Sequence, residues 1–274
     1  MATDVTSIAN EVAPAVPERP PRTPRLQLGP HHHRFLVIYG ILAVVLGVAV
    51  TGVVIFAGKS INPAPQWSAW KPHGGGLGAA KEIADQVSKS YRLPNGSQLV
   101  DVIAGSPSVS ASKTQTISIH YLAVHGTQGR QDEIFPVSSS DSVMYSLCGL
   151  GASCSIATGK PSPQRGRLVR REILELALYT FKYAGGIKNV IAFLPPVAGK
   201  PTYLVYLQKA DLAAELHKPL VQTLAAKTPQ ATTISAGDAH VVDKTTIPGV
   251  YNVVRLSQTP QGEFVLELKP LPAK

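Results

Sequence analysis

The strongest constraint on this chain lies near its start, where Phe35 to Ala57 reads FLVIYGILAVVLGVAVTGVVIFA without one charged side chain. As an α-helix such a run spans about 34 Å, enough to cross the hydrocarbon core of a bilayer. A cleaved signal peptide has a shorter apolar stretch and a small-residue cleavage site; here 34 residues precede the run and AGKSINPAPQ ends it. A buried core helix would show polar positions at helical spacing, and beyond Tyr39 and Thr51 there are almost none. The sequence therefore predicts a single transmembrane signal-anchor helix over residues 35–57. Ala43, Gly47 and Thr51 recur every four residues, a face of small side chains suited to packing against a second copy as a homodimer.

Basic residues near a span stay on the cytoplasmic side. Arg19, Arg22, Arg25 and Arg34 precede the run, against Lys59 and Lys71 after it. This predicts a plasma-membrane protein with a cytoplasmic N-terminus and an extracytoplasmic C-terminal domain. Residues 1–34 hold Pro14, Pro17, Pro20, Pro21, Pro24 and Pro30 and no apolar periodicity, so they read as a disordered Pro/Arg-rich cytoplasmic tail. Residues 58–78 read as a Pro/Gly/Trp linker carrying Trp67 and Trp70, and residues 79–274 as the exported domain. The chain carries 26 Lys and Arg against 17 Asp and Glu, an excess that favours an anionic envelope partner or protein partner. An exported domain meets no nucleic acid.

Within residues 79–274 helix and strand signals alternate, which predicts an α+β exported domain on the transmembrane helix. AAKEIADQVSKSYRL spaces Ile83, Val87 and Tyr91 by four, as an amphipathic helix does, and QLVDVIAG after the Pro94-Asn95-Gly96 turn reads as a strand. TISIHYLAV, 116–124, alternates as one strand, and SVMYSLC, 142–148, as another. GRLVRREILELALYTFKYA, 166–184, is the strongest helical signal, and NVIAFLP and TYLVYLQ follow as neighbouring strands. Residues 211–227 read as helical with a fresh start at Pro219, and VYNVVRLS and EFVLELKP as a terminal hairpin.

Both cysteines, Cys148 and Cys154, lie in CGLGASC. A phosphate loop needs Gly where Cys154 stands and Ser or Thr where Pro161 follows Lys160. Zinc needs about four converging ligands, and no histidine lies close to this pair. Redox pairs are usually separated by two residues. What remains is a Cys148–Cys154 disulfide closing a short loop, contributing roughly 2–2.5 kcal/mol. His120 and His125 fall on opposite faces of an extended strand, and so do His240 and Asp243 if 238–243 is extended. No Gly-x-Ser-x-Gly, His-Glu-x-x-His or closely paired carboxylates occur, and no cofactor is expected.

One cluster stands out: Lys160, Arg165, Arg167, Arg170 and Arg171 fall together at the start of the strongest helix. Cations there oppose the helix dipole, so an anion or acidic partner would be favoured, unless Glu172 and Glu175 neutralise them within the helix. The stretch CGLGASCSIATGKPSPQRGRLVRREILELALYTFKY, with the apolar run and WSAWKP beyond it, resembles uncharacterised single-pass membrane proteins of high-GC Gram-positive bacteria. That resemblance implies no particular activity. The function expected is a membrane-anchored envelope protein whose exported domain is a non-enzymatic binding or accessory module. The alternatives are an exported enzyme acting on cell-wall polymers, in which Asp238 and His240 converge in a cleft, and a membrane-anchored sensor or regulator.

Overall fold

A computed structural model describes residues 37–49, 66–110, 115–126, 131–148, 162–197 and 199–271. The chain divides into two compact units, Met1–Pro63 and Ala64–Lys274. In the first, residues 37–49 form a helix, α1. No helix among the described residues is long and apolar enough to cross a membrane. The transmembrane helix expected over 35–57 is corrected on this ground. Ala43 and Gly47 lie on α1, whereas Thr51 and the tail, 1–34, lie outside the described residues.

The second unit is an α+β fold with a large mixed sheet. In chain order it contains α2 (Gly76–Ser88), β1 (Asp101–Gly105), β2 (Ser108–Ser110), β3 (Thr116–Ser118), β4 (Tyr121–Val124), β5 (Glu133–Pro136) and β6 (Ser142–Cys148). Then come α3 (Pro163–Tyr183), β7 (Asn189–Phe193), β8 (Tyr203–Gln208) and two single-turn helices, α4 (Ala213–Leu216) and α5 (Leu220–Thr223). It closes with α6 (Ala236–Thr246), a 3-10 turn (Ile247–Gly249), β9 (Val250–Gln258) and β10 (Phe264–Pro270). The main sheet runs β1-β6-β7-β8-β9-β10-β4-β5, and β2 and β3 form a separate ribbon. Strands β6 and β7 are parallel with α3 as their crossover, as a parallel pair requires.

Side chains alternate across this sheet. Val143 and Tyr145, Val190 and Ala192, and Val205 and Leu207 enter the core beneath α2 and α3. Met144, Ile191, Leu204 and Tyr206, from the same strands, join a second cluster with Leu122, Leu266 and Leu268. That second cluster forms because the sheet curls. Phe135 of β5 and Tyr206 of β8 have ring centroids 5.3 Å apart, although four strand steps in a flat sheet would separate them by about 19 Å. The register between β9 and β10 shifts at Glu267/Leu268, leaving Val254 unopposed, and a bulge of this kind increases strand twist.

Two further expectations are revised. The stretch 116–124 is not one strand: β3 pairs with β2, while β4 joins β10 in the main sheet. The chain changes partner between Ile119, whose N–H donates to the Pro107 carbonyl, and His120, whose N–H donates to the Phe264 carbonyl. The Cys148–Cys154 disulfide is likewise corrected. No disulfide occurs among the described residues, Cys154 lies outside them, and Cys148 is held in register opposite Asp101 at the end of β6. Trp67 and Trp70 pack on the core, their rings 5.5 and 5.7 Å from that of Tyr179.

The 3-10 turn approaches β8 so closely that a Cβ on Gly249 would collide with the Tyr206 carbonyl oxygen. Backbone is on both sides of the contact, so neither can yield cheaply. Gly249→Ala is expected to cost about 1–3 kcal/mol. Urea denaturation measures this, and an unchanged midpoint would show that the turn is not seated on β8.

Candidate functional site

The site begins with how α3 starts. Ser162 has an extended backbone and accepts the Arg165 N–H at 3.2 Å, and Pro163 occupies the first helical position. A hydroxyl cap followed by proline fixes the start of a helix, since both suit the unpaired first N–H groups. From there Arg167, Arg170 and Arg171, spaced by three and four, share a face. α6 packs against α3. Its own start is set by Ser235, which accepts the Asp238 N–H, and it presents two carboxylates, Asp238 and Asp243, to those arginines.

Arg171 is 1 % exposed. Its Nε donates to Asp238 at 3.1 Å, its Nη1 to Tyr91 Oη at 2.6 Å and to Glu175 at 3.2 Å, and its Nη2 to the Ala225 carbonyl at 2.8 Å. Asp238 also accepts the Ala225 N–H. The network ties the chain after α2, the middle of α3, the Ala225 loop and α6 together. Burial would lower the Arg171 guanidinium, but Tyr91, Glu175 and Asp238 together raise it above its ordinary value. This arginine is a structural tie, enclosed on all sides.

Arg167 and Arg170 differ. Arg167 grips Asp243 through Nε at 2.9 Å and Nη2 at 2.7 Å. Arg170 pairs with the other Asp243 oxygen through Nη2 and donates from Nε to Thr246 at 3.1 Å. Burial would raise the Asp243 carboxyl, but the hydrogen bonds and charges of the two arginines outweigh it and hold it below the usual carboxylate range. The Asp243 bond, with a smaller opposing effect of burial, raises Arg167. Both arginines keep some exposure, 36 % and 19 % of their side chains.

These three residues line a cleft of about 720 Å³. Its other walls are apolar: Val169 from α3, Leu194 after β7, Ile247 and Val250 around the 3-10 turn, and Leu271 beyond β10. Ser162 and Tyr203 add the remaining polar side chains among the described lining residues, and Gly166 of α3 opens onto it. A Cβ at Gly166 would meet no atom within 4 Å. Glycine inside a helix costs about 1 kcal/mol relative to alanine, so this position keeps the cleft open at a cost to the helix.

The basic cluster expected from the sequence is therefore divided. Arg171 is consumed by the internal network, Arg167 and Arg170 face the cleft, and Lys160 lies outside the described residues. Arg165 spends its backbone N–H on the cap, and its Nη1 is buried without a hydrogen-bond partner among the described residues. Glu175 pairs with Arg171 as i,i+4 spacing allows, but Glu172, fully buried, pairs with none of the arginines.

Residues 238–243 are helical and not extended. On a helix Asp238 and Asp243 both reach α3, while His240 is exposed. Ser235-Ala-Gly-Asp238 is a capping signature that signals this helix. His120 and His125 do not converge. His120 Nδ1 receives the Phe264 N–H, and His125 lies between Asp132 and Glu267 at 3.2 and 3.1 Å. Among the described residues no group of three or more His, Cys, Asp or Glu is arranged to hold a metal ion. No family model, curated protein or solved structure matches the chain.

Proposed function

We propose that the Ala64–Lys274 unit is a non-enzymatic binding module whose cleft between α3, the 3-10 turn and the ends of β7 and β10 holds a small, largely apolar ligand. The observation that carries this reading is the cleft itself. Its volume of about 720 Å³ falls within the range of small-molecule sites, about 300–1,000 Å³, and apolar walls with a few placed polar groups are the usual lining of such sites. The charged groups present are two arginines already bonded to one aspartate, with the hydroxyls of Ser162, which caps α3, and Tyr203 beside them, an arrangement that orients and attracts a ligand.

Gly166→Phe tests the reading, since it fills the cleft from a position where a side chain has room and where replacing glycine favours the helix. Titration of the full chain with phenylnaphthylamine, a neutral apolar fluorophore, is expected to saturate. Gly166→Phe is expected to weaken it about ten-fold or more while leaving the melting temperature unchanged or raised. Binding equal in both proteins would end the proposal.

A further inference from the structure

We infer that the cleft selects an amphiphile with one anionic head on an apolar body, an inference that rests on the cleft being the binding site. Among the described lining residues only Arg167, Arg170 and Asp243 are charged. Two guanidiniums against one carboxylate leave a single positive charge uncompensated. Asp243 engages Nε and Nη2 of Arg167 and Nη2 of Arg170, and Thr246 takes Nε of Arg170. No bond is made by either Nη1 to another described residue, so each arginine retains donors while its plane is held by the carboxylate and the threonine. A guanidinium fixed in this way is pre-organised for an oxyanion, and its charge-assisted bonds are about twice as strong as neutral ones.

The apolar walls set the rest of the ligand. Val169, Leu194, Ile247 and Val250 offer no hydrogen bond to a sugar or peptide, so the body that enters is hydrocarbon or aromatic. A dianion would exceed the one available charge, and an uncharged lipid would leave it unmatched in a partly buried site.

Anilinonaphthalene sulfonate and phenylnaphthylamine share one aromatic body and differ by a single sulfonate, so titrating the full chain with each separates the head from the body. The sulfonate is expected to bind about ten-fold tighter, with the advantage shrinking as NaCl is raised and falling toward one in Arg170→Met. Dodecanoate and methyl dodecyl phosphate, a monoanionic phosphodiester, are expected to displace it, one arm for each source of anion, and dodecanol is expected to fail. Equal affinity for the two fluorophores, or displacement by dodecanol as strong as by either anion, would overturn the head-group inference and leave the cleft standing as an apolar site. Sulfonate binding that survives Gly166→Phe would place it elsewhere and overturn both.

Discussion

Arg171→Met is expected to destabilise the protein by about 3–5 kcal/mol, the usual consequence of removing one partner from a buried ionic group. For a folded unit of this size that is a fall in melting temperature of about 2–4 °C per kcal/mol. The methionine fills much of the same volume, so the loss is not a cavity effect. It arises because Asp238, 7 % exposed, and Glu175 would remain inside without the cation that offsets their desolvation. The Ala225 carbonyl and Tyr91 Oη would also lose their donor. Asp238→Asn tests the same network from the other side. The double variant is expected to recover a coupling of about 0.5–3 kcal/mol relative to the sum of the single changes. A loss under about 1 kcal/mol for Arg171→Met would mean that water reaches this guanidinium and that the tie between α3 and α6 is not ionic.

This network also shows why the sequence could be read only in part. Wherever a local rule governs, the element is visible: Ile83 and Val87 at helical spacing mark α2, and the run 166–184 marks α3, although the helix starts three residues earlier, at Pro163. The apolar runs of β7 to β10 mark strands that are buried on both faces or joined by a tight turn at Gly262. Where the outcome depends on partners far along the chain, the local signal misleads. The alternation of 116–124 is real, but a change of hydrogen-bond partner at His120 splits it between two sheets. The weakly apolar 236–246 hides a helix whose only local sign is its cap, and with it Asp238 and Asp243, the carboxylates that decide which arginines remain available. The cleft draws its walls from α3, the segment after β7, the 3-10 turn and the end of β10, and nothing in any one of these segments announces the others. The apolar run 35–57 shows the reverse error. Hydropathy alone implies a span, whereas no helix among the described residues is long and apolar enough to be one.

Replacing Glu172 by leucine is expected to stabilise the protein at neutral pH by about 1–3 kcal/mol, the range for relieving a buried polar group without a partner. The side chain lies within α3 at 0 % exposure, and neither carboxyl oxygen has a hydrogen-bond partner among the described residues. Burial first, and the charge of Glu175 second, push its carboxyl well above the ordinary range, so the folded protein holds the proton. In the unfolded chain the same carboxyl ionises in the ordinary range. Between the two, the folded state binds one more proton than the unfolded state, and stability falls by about 1.4 kcal/mol for each pH unit of increase. The contribution is fully present below the unfolded value and is lost as pH rises toward the folded one. Glu175, raised by burial despite Tyr91 and Arg171, acts with the same sign. The carboxyls held low, Glu82, Asp132, Asp141, Asp243 and Glu267, lose their contributions as pH falls instead. Glu172→Leu should therefore give a flatter curve above the ordinary carboxylate range, diverging from the wild type as pH rises and settling to a constant offset toward acid, where only the cost of the unpartnered neutral carboxyl remains. Urea midpoints collected across that range measure the divergence. Curves that run parallel would show that the folded and unfolded states titrate this carboxyl alike, and would remove the buried proton from the account of α3.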